Sequence, residues 1–226
     1  MQFGRALNFP FQDKDWFRKV LVPALWQILP GLGMIAVTGW ALEVCRRVIR
    51  GTGNELPDFN LRRSLSDGLA VWGIFLVCGI PIFLWLGLGG FFTSPLFLKS
   101  GAGNSGTFDL LWWGIECGAL VIALGAAVWA SAAIGRFADT GSFRAAFRMR
   151  EIFSVIRSAP AAYLLAVLAG FPLALLAFLG IAICCAGVSF TTAYALASAG
   201  HLAGQAYALG AARRASPAET KGRNST

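Results

Sequence analysis

Few side chains in this sequence could do chemistry, and they stand far apart. Glu116 is the sharpest candidate. It follows Trp112 and Trp113 in an apolar run, with Gly114 and Gly118 around it at GxxxG spacing. About six residues into a membrane helix is roughly 9 Å of depth. A carboxylate there is costly and is by default a proton or cation site. No second acid falls at similar depth. The other reading is therefore a carboxyl close to the headgroups, or one bonded to a neighbouring helix that the glycines let approach.

His201 is the sole histidine, and Gln205 follows one helical turn later. One imidazole without further ligands builds no metal site. Gly200 and Gly204 repeat the small-xxx-small spacing, and Ser189, Ala193 and Ala197 continue a smooth stripe. Close packing, with His201 and Gln205 bonded to neighbouring backbone, accounts for them. The five cysteines include no CxxC pair and stand in or beside apolar runs, as small hydrophobes do. There is no phosphate-binding glycine loop, nucleophile elbow or HExxH helix. The expectation is no catalytic residue, no metal and no cofactor.

Arg144 and Arg148 are the remaining candidates. They belong to a basic stretch from Arg136 to Ala159 that lies between two long apolar runs. At 100° per residue, a helix over 142–158 with Ser142 as its N-cap puts Ala145, Met149, Ile152, Phe153 and Ile156 on one face. Arg144, Arg148, Glu151 and Ser158 then share the other. Such a helix lies in the plane of an interface, with arginine stems on apolar surface and heads at phosphates. Its function is either to recruit a partner or anionic lipid, or to anchor the topology.

The elements that must position these residues are apolar helices. Of 226 residues 57% are hydrophobic and 13% charged, about half the charge of a soluble domain. Apolar regions fall at 20–44, 69–92, 110–134 and 161–207. Each is long enough to span once, and the last is long enough for two helices, 161–179 and 181–207. Pro30-Gly31 breaks the first region into halves too short to cross alone. It is either one kinked span or a re-entrant hairpin, and charge favours the hairpin. Pro81 kinks the second region without ending it. Asn60 is placed to cap the helix that leads into that region.

The expected architecture is all-α. It is a polytopic membrane bundle with a broken N-terminal hairpin, four full transmembrane helices and a cytoplasmic amphipathic helix at 142–158. Residues 1–19 form an interfacial arm, 20–208 one membrane domain, and 209–226 a disordered tail. No short apolar core marks the arm as a cleavable signal. The net charge of +8 suits a soluble nucleic-acid binder, but here the cations are gathered in the segments between apolar runs. The Gly-rich loop 93–109 holds only Lys99. Cytoplasmic segments collect Lys and Arg. The loop at Arg46–Arg63, the stretch 136–159 and the tail are therefore inside, and the arm joins them if the hairpin is re-entrant. The expected partners are the bilayer with its anionic headgroups and a membrane or cytoplasmic protein, not nucleic acid.

Several landmarks occur together in order. They are Asp15-Trp16 with Lys19, Pro30, Gly39, Arg46-Arg47 to Arg50-Gly51, Leu56-Pro57, Asp67-Gly68 and Pro81. Thr140-Gly141-Ser142, Ala146-Phe147, Ile156-Arg157, and His201 with Gly204-Gln205 and Tyr207 follow. Over roughly residues 8–208 the pattern resembles the prokaryotic membrane proteins grouped as domain of unknown function 4013. The resemblance implies an integral protein of a bacterial or archaeal cell membrane and assigns no catalytic residue. A non-enzymatic scaffold or accessory subunit with a basic cytoplasmic face fits first. The alternative is a small transporter component that uses Glu116 and the broken helices.

Overall fold

The computed structural model describes residues 3–52, 55–93, 105–183 and 185–223, and all regular structure among them is helical. In chain order the α-helices are α1 (Phe3–Asn8), α2 (Trp16–Trp26), α3 (Leu32–Ile49), α4 (Leu61–Phe92), α5 (Ser105–Thr140), α6 (Met149–Ser158), α7 (Pro160–Leu179) and α8 (Cys185–Arg223). Short 3₁₀ turns stand at Pro10–Gln12, Phe143–Phe147 and Gly180–Ile183.

Three helices are long and apolar enough to cross a membrane: Leu61–Phe91, Asp109–Thr140 and Pro160–Leu179. That is three, where the sequence reading expects four. Residues 181–207 fall mostly in α8, which is not among the three. Ala, Gly, Ser and Thr recur along it among a few large side chains, and it forms the centre of the bundle. It packs on α1, α2, α3, α5, α6 and α7. It also continues to Arg223, where the sequence reading has a disordered tail from 209.

The first apolar region is two helices, not one kinked rod. Gly31 begins α3 at φ 81°, a conformation that a side chain would strain, and the chain folds back there. The two arms touch closely: a Cβ on Gly33 would run into the Trp26 carbonyl. Further along α3, Gly39 and Gly68 bring α3 and α4 together backbone to backbone. A Cβ on Gly39 would meet the Ser64 carbonyl, and one on Gly68 would meet that of Ile35. Asn60 caps α4 as expected, its side chain accepting from the Arg63 N–H at 3.2 Å.

Three buried clusters among the described residues hold the bundle, the smallest joining Ala6, Ala169, Leu173, Ala195 and Leu202; the other two are larger. One joins Leu42, Cys45, Val71, Ile74, Ala133, Phe137, Ile152, Val155, Tyr163 and Tyr207, and so ties α3 to α8. The other packs Phe9, Val20, Ala24, Val37, Trp40, Val44 and Leu56 against Ala193 and Ala197. The arm is therefore a docked element. The far halves of α4, α5 and α7 are bare by contrast, with Phe83, Leu84, Leu88, Trp113, Val121, Phe171 and Phe178 exposed.

Candidate functional site

The polar groups that the fold brings together lie at one end of the bundle. Arg46, near the end of α3, is 5% exposed. Its Nη1 lies 2.6 Å from Glu43 Oε2 and 2.9 Å from Asp67 Oδ2, and its Nε donates to the Ala138 carbonyl at 3.3 Å. Arg63 closes the group from α4, with Nη2 3.0 Å from Glu43. One buried guanidinium thus clamps α3, α4 and the end of α5. Burial opposes its charge, but the hydrogen bonds to Asp67 and Glu43 outweigh that and hold its pKa above the usual arginine value.

A second group lies under α6. Arg136 of α5 pairs with Glu151, and Arg148 reaches the other oxygen of that carboxylate at 3.3 Å. The Ser158 hydroxyl is 2.8 Å from the Gly210 carbonyl of α8. The Tyr207 hydroxyl donates to Asp139 Oδ2 at 3.0 Å. A third group fixes the arm. Asp13 receives the Lys19 ammonium at 2.8 Å, and its carboxylate accepts the backbone N–H of Asp15 and of Leu56. Burial works against the Asp13 charge, yet these donors keep its carboxyl below the ordinary range.

Arg144 and Arg148 do not share the continuous helix expected over 142–158. Residues Phe143–Phe147 form a 3₁₀ turn, Arg148 leaves helical geometry at ψ 86°, and α6 starts only at Met149. Ala145 and Ala146 are buried in that turn, which rotates it out of register with α6. Arg144 is exposed, and no ion pair holds it among the described residues. On α6 itself Ile152 and Val155 face the bundle, while Met149 and Phe153 face outward beside the exposed Arg150 and Arg157.

Glu116 is exposed on α5. Of its flanking glycines only Gly118 is in close contact, against the Trp85 ring, and a Cβ on Gly114 would meet nothing. His201 is buried and stacks on Phe9 of the arm, ring centroids 4.4 Å apart. Gln205 is half-buried one turn on. Gly200 and Gly204 seat α8 on α3, as their spacing predicts: side chains there would strike the carbonyls of Ala41 and Cys45. The five candidates therefore form no single site. Among the described residues no three of His, Cys, Asp or Glu cluster in a way that would hold a metal.

The family described as protein of unknown function (DUF4013) matches residues 22–186. The chain belongs to this family. The DUF4013 match begins within α2, includes α3, the three long apolar helices and α6, and stops at the start of α8. The docked arm and His201 lie outside it. No curated protein and no solved structure matches the chain.

Reasoning from sequence gives no pairing role to Glu43, Asp67 and Glu151, the acids that engage the arginines. A signal was there. Glu43 and Arg46 are at i,i+3, and Arg63 and Asp67 at i,i+4, the spacings at which helix neighbours pair. Counting cations for topology leaves such partners out.

Proposed function

We propose that this DUF4013 protein is an integral, non-enzymatic scaffold or accessory subunit of a prokaryotic cell membrane, with its basic end in the cytoplasm. The observation that carries the proposal is α6. It is pinned to the bundle through Glu151 and Ser158, yet presents Met149 and Phe153 outward with Arg150 and Arg157 beside them. A helix of that kind lies at the headgroup level, its apolar side chains in the acyl boundary and its arginines at phosphates. Arg144 and Arg148, on the adjoining turn, extend the same basic face toward anionic lipid or a protein partner. The α2–α3 hairpin enters that membrane from the cytoplasmic side and returns, and α8 runs back beside α7 to the basic end, where Gly210 meets Ser158, so that the arm and the C-terminal tail share one side with the basic loops.

The test is flotation of the purified chain with vesicles of increasing phosphatidylglycerol content, read as lipid retained after detergent extraction. Arg144→Glu with Arg148→Glu should lower retained anionic lipid several-fold while helical circular dichroism stays the same. Equal retention by the variant overturns the recruiting role of this face.

A further inference from the structure

A recess of about 270 Å³ opens beside α2, lined by Asp15, Arg18, Lys19 and Val22 of the helix and by Asp58 and Phe59 of the loop before α4. The helical residues are at i, i+3, i+4 and i+7, so they form one face directed at the loop. Lys19 is already fixed, its ammonium 2.8 Å from Asp13. The side chains of Asp15, Arg18 and Asp58 have no ion-pair partner among the described residues, although opposite charges line the same recess. Phe59 stacks against Trp26 at a ring-centroid distance of 6.4 Å. The exposed edge formed by Leu25, Ile28 and Leu29 leads away from it.

We infer that this recess binds a zwitterionic aminophosphate, the headgroup chemistry of phosphatidylethanolamine. Arg18 and Lys19 take the phosphate by charge-assisted hydrogen bonds. Asp15 and Asp58 take the primary ammonium, which offers N–H donors. A phosphate alone would meet two carboxylates, and an ammonium alone would meet two cations. Choline has no N–H to donate, and serine adds a carboxylate that both aspartates repel. Val22 and Phe59 supply the apolar side against which the glycerol and the start of the chains rest. The lipid source rests on the membrane reading above; the headgroup chemistry does not.

The full chain is placed in nanodiscs containing equal phosphatidylethanolamine and phosphatidylcholine with a fixed share of phosphatidylglycerol. Lipids that remain bound after release are then counted by native mass spectrometry. Ethanolamine lipid should exceed choline lipid at least fivefold on the wild type. Asp15→Asn with Asp58→Asn should remove that preference, and Arg18→Gln should lower ethanolamine-lipid retention. Each variant is checked for wild-type helical content. Equal retention of the two lipids by the wild type overturns the lipid as the source of the headgroup, and an unchanged preference in the double aspartate variant overturns the assignment of the ammonium to Asp15 and Asp58. A parallel arm titrates soluble glycerophosphoethanolamine against glycerophosphocholine in detergent. Saturable binding of the first alone, lost in Asp15→Asn with Asp58→Asn, supports the aminophosphate site even if the nanodisc arm fails; binding of neither there together with no lipid preference overturns it. Carbonate extraction of native membranes, run alongside, reports separately on membrane insertion.

Discussion

The two ends of this molecule are built on opposite principles. At one end Arg46, Glu43, Asp67, Arg63, Arg136 and Glu151 are paired across four helices, and side chains from α1 to α8 are buried around them. At the other end α4, α5 and α7 run on with large apolar side chains in the open. Only 11% to 17% of the most apolar window of each of these helices is buried within the protein. A soluble monomer rarely exposes apolar surface on that scale. The contrast teaches that cohesion and solvation are separated along the long axis. Protein contacts hold the polar end together, and the apolar end is built for a surrounding that is itself apolar.

If that is right, substitutions of similar chemistry should have unequal effects at the two ends. The largest effect is expected for Arg46→Ala, which removes the buried cation between Glu43 and Asp67 and leaves them only the exposed Arg63. Removing one partner of a buried charge group costs about 3–5 kcal/mol. Thermal unfolding in detergent should show a marked loss of stability, and Arg46→Lys should recover part of it. Next comes Gly39→Val, which forces α3 off the Ser64 carbonyl and should cost about 1–3 kcal/mol. The same change at Gly114, where a Cβ meets nothing, should be close to neutral.

A smaller, local effect is expected on acidification. The folded Asp13 carboxyl titrates below its unfolded value of 3.8, so the stability it contributes is complete above that value. It is lost as pH falls through the lower folded value. The fluorescence of Trp16, packed against Phe11 and Phe17, should therefore be constant from pH 5 to 8 and change only below about pH 4. Asp13→Asn should abolish that acid transition. The smallest effect is expected at the bare end: Glu116→Gln should change stability by less than about 0.5 kcal/mol, as exposed substitutions generally do. A large loss there would break the contrast between the ends.

Much of this division can be read in the sequence, because apolar run length and charge placement report directly on which segments are apolar enough to cross a membrane and which are not. The spans at 69–92, 110–134 and 161–179 and the break at Pro30-Gly31 follow from those two properties. The status of α8 does not. Its run of small residues passes for a span by length, but it is the helix that the others surround. The arm reads as a surface segment because nothing local shows that Phe9 will stack on His201, some 190 residues later. The register break at Arg148 was hidden as well, because a helical wheel assumes the helix that it then describes.

The family's residue pattern did not assign chemistry to Glu116, His201 or Gln205, and the structure places them apart. His201 and its glycines account for how α8 seats on the arm and on α3. Glu116 does not line the open apolar cavity of about 260 Å³ bordered by Leu42, Phe75, Ser131, Val167 and Ala203. The sequence reading located the arginine-rich segments correctly but assigned them to a surface. Four of the ten arginines in the segments 46–63 and 136–157, namely Arg46, Arg63, Arg136 and Arg148, pair with carboxylates, and Arg50, Arg62, Arg144, Arg150 and Arg157 are exposed without an ion pair among the described residues.

The central claim is that α4, α5 and α7 cross a bilayer with the paired, basic end in the cytoplasm. The most direct test uses cysteine-free protein carrying one new cysteine, at Ser142 or at position 105, in spheroplasts treated with a membrane-impermeant thiol reagent. Position 105 should react in intact spheroplasts, and Ser142→Cys only after the membrane is opened. Reaction of both without permeabilisation, or of Ser142→Cys alone, would contradict the account.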